Sequence, residues 1–241
     1  MEVIGIQTRI VHPPKDDLYT VFEESISDIR EEDILLISSK VLAIHQGRCV
    51  PTKHISKEDL ILLEADHFFS YHNKALKRNF SLTIKGNTLV SSAGIDESNG
   101  NGYYILWPEN STSLCREIQT FLREKYHLKR FAVIAVDSQS VLLRYGAIGV
   151  GIGYFGMHPL KNYIGKKDLF ERPFVIERSN MIDMIASAGT LVMGEGSERV
   201  PLALVRGVSG VEFSNEDTTD EFFVSMEEDK YAPFFDVFPK K

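Results

Sequence analysis

Cysteine is scarce in this sequence, with only Cys49 and Cys115 among 241 residues. Two thiols cannot build a disulfide framework, so the fold must rest on a buried core, and a reducing compartment is expected. No apolar run approaches the ~20 residues that cross a bilayer. Positive charge is not in excess either: 27 Lys and Arg stand against 34 Asp and Glu, a net charge of −7. That balance excludes a grip on nucleic acid over the whole surface, while leaving room for a local basic pocket. The opening MEVIGIQTRIV has no cationic start and no small-residue cleavage site, and it reads as a strand rather than a secretion signal. What is present is ordinary packed-domain composition, 43% hydrophobic and 25% charged. The expectation is a cytoplasmic protein of enzyme size with small-molecule substrates and neither membrane nor nucleic acid as partner.

Several chemistries lack their signatures. There is no C-x-x-C, no G-x-S-x-G and no Walker A loop. His67 and His72 are five apart, off one helical face, so they do not form a ligand pair on a helix. The run Gly151-Ile152-Gly153-Tyr154-Phe155-Gly156 matches G-x-G-x-x-G, but a dinucleotide fingerprint must open a helix. Here Pro159 and Gly165 follow, so the glycines are expected to serve close backbone packing or a strand that a ligand approaches.

The pattern alternates helices and buried strands. Residues 3–6, 33–37, 131–136 and 200–206 read as strands. Leu18, Val21, Phe22, Ile26 and Ile29 mark an amphipathic helix capped near Asp16-Asp17. Charge-mixed residues 57–80 read as helical, as do 111–126 and 179–193, while 81–85 and 88–91 form a strand pair about Gly86-Asn87. Residues 146–156 are glycine-rich and 157–170 irregular and basic. This is an α/β architecture, with α+β as the alternative.

Three acidic loops carry the candidate chemistry: Asp96 in AGIDESN, Asp137-Ser138 after FAVIAV, and Glu195 in MGEG. Carboxylates and a hydroxyl are the donors that hard divalent cations prefer. Singly, Asp96 reads equally as an Asx-turn residue, Asp137 as a helix cap and Glu195 as a surface acid. Lys161, Lys166 and Lys167, with Arg144 upstream, form the densest basic cluster, suited either to phosphate or to solvent.

Four blocks in order, AGIDESN at 93–99, DSQSVLLRYGAIGVGIG at 137–153, NYIGKKDLF at 162–170 and MGEG at 193–196, resemble the coenzyme F420-0:L-glutamate ligase family, the γ-glutamyl ligases. The resemblance implies that family's fold, mixed sheets with flanking helices, over a single domain at 1–241 or two intertwined subdomains, with an acidic tail at 212–241. It implies amide formation between an acceptor carboxylate and L-glutamate through an acyl phosphate. GTP is the implied co-substrate, with ATP as the alternative, together with two Mg²⁺ or Mn²⁺ sites, K⁺ as a further ion, and a homodimer. Carried over by position, Asp96, Asp137 and Glu195 are catalytic, and with Ser138 they are the metal ligands. Ser39, Asn99, Gly194, Gly196 and Ser197 are nucleotide contacts; Lys166 and Lys167, from the basic cluster and not from the resemblance, are the expected phosphate contacts.

Two positions depart from the pattern. Ile44 stands where members acting on the deazaflavin often have lysine, and the early loop reads Thr8-Arg9-Ile10-Val11 in place of a Gly-Leu-Pro loop. The chain thus looks more like bacterial relatives with another acceptor, folate-type or phosphorylated, and Arg9 is the expected substitute for the missing cation. Two rivals use the same residues: a nucleotide- or metal-binding protein without catalysis, and a phosphohydrolase.

Overall fold

The computed structural model describes residues 1–238. In chain order the elements are β1 (Glu2–Ile6), α1 (Leu18–Ser25), β2 (Ile34–Ser38), α2 (Ser39–Gln46), β3 (Cys49–Pro51), α3 (Lys57–Glu64), β4 (His67–Asn73), β5 (Arg78–Lys85) and β6 (Thr88–Ser91). There follow β7 (Tyr103–Ile105), α4 (Ser111–Lys125), β8 (Ala132–Ser140), β9 (Ala147–Phe155), β10 (Leu160–Asn162), β11 (Arg178–Asn180), α5 (Met181–Met193) and β12 (Leu202–Arg206). Five strands make the main sheet in the order β1-β12-β2-β8-β9. Only β2 and β8 run parallel; the other neighbours are antiparallel, so the fold is mixed α/β.

Strand periodicity explains how one sheet serves two cores. Leu35 and Ile37 of β2, Val133 and Ala135 of β8, and Leu202 and Leu204 of β12 face α1 and α4. Their alternates Ile34, Leu36, Ala132, Ile134, Val136, Ala203 and Val205 face α5. Both faces are therefore buried, which is why these strands read as continuous apolar runs instead of alternating ones. Each fully buried Leu or Ile contributes about 1.5–3 kcal/mol. The glycines of β9 let the helices approach. A Cβ on Gly151 would lie 2.2 Å from Ile182 of α5, and one on Gly153 2.5 Å from Ser111 at the start of α4. The G-x-G-x-x-G run is thus a packing device within a strand, in keeping with its failure to open a helix.

Three expectations need correction. The stretch 57–80 is helical only to Glu64; β4 takes over at His67 and pairs with β5. The aromatic run His67-Phe68-Phe69-Ser70-Tyr71-His72 prefers a pleated surface, and Asn73 Oδ1 accepts from the Ala75 and Leu76 amides to begin the turn. The first helix stops at Ser25 and does not reach Ile29. Asp137 does not end its strand, because β8 continues to Ser140. The register between β8 and β9 shifts between Ala135 and Val136, where β9 contributes one extra residue, Ile152, opposite none on β8.

Candidate functional site

The parallel strands β2 and β8 carry Ser38-Ser39-Lys40 and Asp137-Ser138 to one edge of the sheet, where open α/β sheets place their ligand loops. The 93–99 loop and the 194–200 loop close on the same edge. Together they wall a cavity of about 2100 Å³ lined by Ser39, Lys40, Asp96, Asn99, Asp137, Ser138 and Gly194 to Ser197. Four separated segments of the sequence therefore meet, and they are the ones that carry the predicted metal and nucleotide residues.

Asp96 is aimed by a strained turn. Ser92, Ala93 and Gly94 lie in succession at φ 54°, 51° and 71°, the left-handed region that costs non-glycine residues energy. The Asp96 backbone then pairs reciprocally with Ile105 at 2.9 and 2.8 Å. Its carboxylate accepts from the Ser98 amide at 2.7 Å, so the Asx-turn reading holds, and it also receives the Lys40 ammonium at 2.7 Å. Burial pushes this carboxyl up, but Lys40 and Ser98 outweigh burial and hold it below the ordinary carboxylate range.

Asp137 has the opposite balance. Its Oδ2 accepts from the indole Nε1–H of Trp107, its Oδ1 from the Ser138 amide at 2.9 Å, and burial pushes its pKa up against those donors. Nearby Asp96 adds to the rise. Asp137 is a strand residue, which removes the helix-cap reading. Ser138 Oγ donates to Glu195 Oε1 at 2.5 Å across the cavity edge. Asn99 donates to the Gly196 carbonyl at 3.0 Å, and Glu198 accepts from the Gly196 amide at 2.8 Å. The two ligand loops are thereby tied to each other.

Among the described residues, no three carboxylate, imidazole or thiol groups converge tightly enough to enclose an ion. The oxygens instead form two pairs, Asp96 with Asp137 and Ser138 with Glu195. Their chemistry fits hard divalent cations, which take carboxylate and hydroxyl oxygen and complete their shell with substrate and water. Asp137 fits best, since a partly buried carboxylate facing only neutral donors is stabilised by a cation. One consequence is measurable without turnover. Trp107 is the only tryptophan, so paramagnetic Mn²⁺ held at Asp137 should quench most of the protein's indole fluorescence. Mg²⁺ should compete the quenching away, and Asp137→Asn should lose it. Quenching of equal depth in that variant would remove Asp137 from the ion's ligands.

Other predicted residues lie elsewhere or are engaged. Arg9 lines the cavity, but its guanidinium forks onto Asp16 at 2.6 and 2.8 Å and also reaches Glu24 at 2.9 Å. Two carboxylates neutralise it, so it does not replace the lysine missing at Ile44. Ile44 is itself buried and packs with Ala43 and Ile105. Lys166 and Lys167 do not line the cavity: Lys167 pairs with Glu171, and Lys166 lies over the Tyr163 ring. Lys40, Arg144 and Arg199 also line the cavity, Lys40 paired with Asp96. Sequence reasoning placed Lys40 at the ligand edge without a role of its own, and it missed Trp107 and Glu198. A lysine after a strand and a solitary tryptophan carry no pattern of their own.

Residues 5–207 match the family described as F420-0:gamma-glutamyl ligase. The chain belongs to that family. Among similar proteins is the coenzyme F420:L-glutamate ligase of Methanosarcina mazei, 32% identical over 86% of each chain. That of Methanopyrus kandleri is 30% identical over 81% of this chain and 82% of its own. That of Methanococcus maripaludis is 29% identical over 96% of this chain and 97% of its own. No helix of the described residues is long and apolar enough to cross a membrane.

Proposed function

We propose that this member of the F420-0:gamma-glutamyl ligase family is a nucleotide- and divalent-cation-dependent ligase that joins L-glutamate to an acceptor carboxylate through an acyl phosphate. The observation that carries this reading is the cavity. At about 2100 Å³ it exceeds the roughly 300–1000 Å³ that holds one small ligand, and its oxygen donors stand together at one wall. A ligase must hold three substrates, whereas a hydrolase needs room for one and water.

The chemistry asked of the residues is modest. The acceptor carboxylate oxygen attacks the γ-phosphorus, the bond to the β-phosphate oxygen breaks, and GDP or ADP leaves. The glutamate amine then attacks the acyl carbon and expels phosphate. Divalent cations, when bound, would supply positive charge to offset the charge that develops on the phosphates. Asp96, Asp137, Ser138 and Glu195 would hold them. The first turn of α2, whose Ser38 cap makes no side-chain hydrogen bond, offers free N–H groups and Lys40 to an anion. The family's description supplies F420-0 as first acceptor to test, with a folate as second, given Ile44.

The expected homodimer is supported by apolar side chains left exposed among the described residues, among them Leu143 and Leu169, each 96% exposed, and Phe170 and Ile176. The deciding assay is phosphate release from GTP or ATP with Mg²⁺ or Mn²⁺. Release that requires both glutamate and acceptor, with the glutamylated product seen by mass spectrometry, is the expected result. Release with neither present identifies a phosphohydrolase.

A further inference from the structure

The family match ends at residue 207, yet the chain beyond it helps to build the cavity. This segment first crosses the sheet's far side. Glu212 accepts from the His158 amide at 2.8 Å, Asp217 pairs with Arg116 at 2.5 Å, and buried Thr218 accepts from the Tyr154 hydroxyl. It then returns to the β4-β5-β6 sheet, where Phe238, only 5% exposed, packs edge-on against His67 and Phe69 at 6.4 Å. Between these anchors, Tyr231 and Phe234 face the cavity, which Tyr71 and Phe80 also line.

The rings form two near-parallel pairs. Tyr231 and Phe234 are 5.9 Å apart with 10° between planes, and Tyr71 and Phe80 are 5.8 Å apart at 21°. The pinned Phe238 is buried, whereas Tyr231 and Phe234 remain 51% and 62% exposed. A segment anchored by one aromatic while presenting two others to a substrate cavity leaves apolar ring surface for a ligand to cover. Flat, exposed, parallel rings suit a flat ring system, since offset stacking is available at little conformational cost. The polar wall at Asp96, Asp137 and Glu195 offers no such surface.

We propose that Tyr231 and Phe234 of the C-terminal segment, facing the same cavity as Tyr71 and Phe80, are specificity-determining residues that take the flat fused-ring part of the acceptor. The assignment of that ring to the acceptor rests on the ligase reading, but the ring site itself does not. Riboflavin, a fluorescent three-ring compound, is the probe in an equilibrium titration against the full chain. Wild type should bind it, and Tyr231→Ala with Phe234→Ala should weaken binding about tenfold or more. Phe238→Ala should weaken it by releasing the anchor, and Tyr231→Phe should restore the wild-type value because the ring face is what stacks. In the ligation assay the double alanine variant should raise the acceptor KM about tenfold, with the nucleotide KM and kcat within about twofold. Circular-dichroism melts identify variants that do not fold, for which Tyr231→Leu substitutes.

No riboflavin binding by wild type, or equal binding by the double variant, would overturn the proposal. So would an unchanged acceptor KM, or a shift in oligomeric state as the only effect of the substitutions. Ring binding that responds to these variants in a protein that never glutamylates would sink the ligase reading and leave the ring site standing.

Discussion

Asp137→Asn should yield a folded protein whose ligation rate is lower by about a hundredfold or more, the scale on which removal of one preorganised electrostatic group acts. The carboxylate stands on the cavity wall, held by Trp107, Ser138 and Ser39, with no ion pair to a cation among the described residues. That arrangement also fixes the sign of a stability effect. Burial raises this carboxyl above its ordinary value of 3.8, so the folded state binds its proton more tightly than the unfolded chain does. Its contribution to metal-free stability is therefore fully present below the unfolded pKa and is lost as pH rises through the folded one. Asparagine does not titrate. It instead turns one N–H toward Trp107 or Ser138, a mismatch costing about 1–3 kcal/mol at every pH. The melting temperature of the variant, measured without metal, should thus gain on wild type as pH is raised from 4 toward neutrality. Normal turnover with Mg²⁺ or Mn²⁺, or a constant difference in melting temperature across that range, would show that this charge is neither needed nor strained.

The same residue shows how far sequence reasoning reached. FAVIAV is legible as a buried strand because both faces of the sheet are covered, by α4 and α5. Asp137 and Ser138 stand out as the first polar residues after it. That they stay inside β8 depends on their pairing with Val150 and Gly149 of β9, which has no local signal. Gly86-Asn87 is legible for the opposite reason: both residues sit at positive φ, 54° and 56°, as a two-residue hairpin turn demands. Lys40, Arg9 and Lys167 share a chemistry and differ in which carboxylate lies within reach, at Asp96, Asp16 or Glu171. For Lys40 that partner is 56 residues away, and no periodicity encodes it. The tail is opaque because its acidic composition says nothing of Tyr231, Phe234 and Phe238, whose placement is set by where the segment returns.

Gly94→Ala should be strongly damaging to both stability and turnover. Gly94 sits at φ +71°, where a side chain costs about 1–2 kcal/mol. A Cβ there would also lie 2.1 Å from Trp107 Nε1 and 2.3 Å from its Cδ1. The indole is buried and has no free space to take up the displacement, so overpacking adds about 1–3 kcal/mol. Gly86→Ala isolates the backbone part, because Gly86 has φ +54° and nothing within 4 Å of the added carbon. The difference between the two variants therefore measures the clash with Trp107. That clash bears on chemistry from two sides: it drives the indole off Asp137, and it distorts the turn that aims Asp96. Displacements of about 1 Å in such groups cost about a hundredfold in rate. Gly94→Ala should then melt well below Gly86→Ala and lose most turnover, while Gly86→Ala keeps the wild-type rate. Adding Trp107→Leu to Gly94→Ala should recover part of the lost stability, because the smaller side chain makes room, but not the rate, because Asp137 still lacks its indole donor. A Gly94→Ala protein that melts with Gly86→Ala and turns over normally would show that the turn and the indole have room to yield, and that neither sets the position of the two carboxylates.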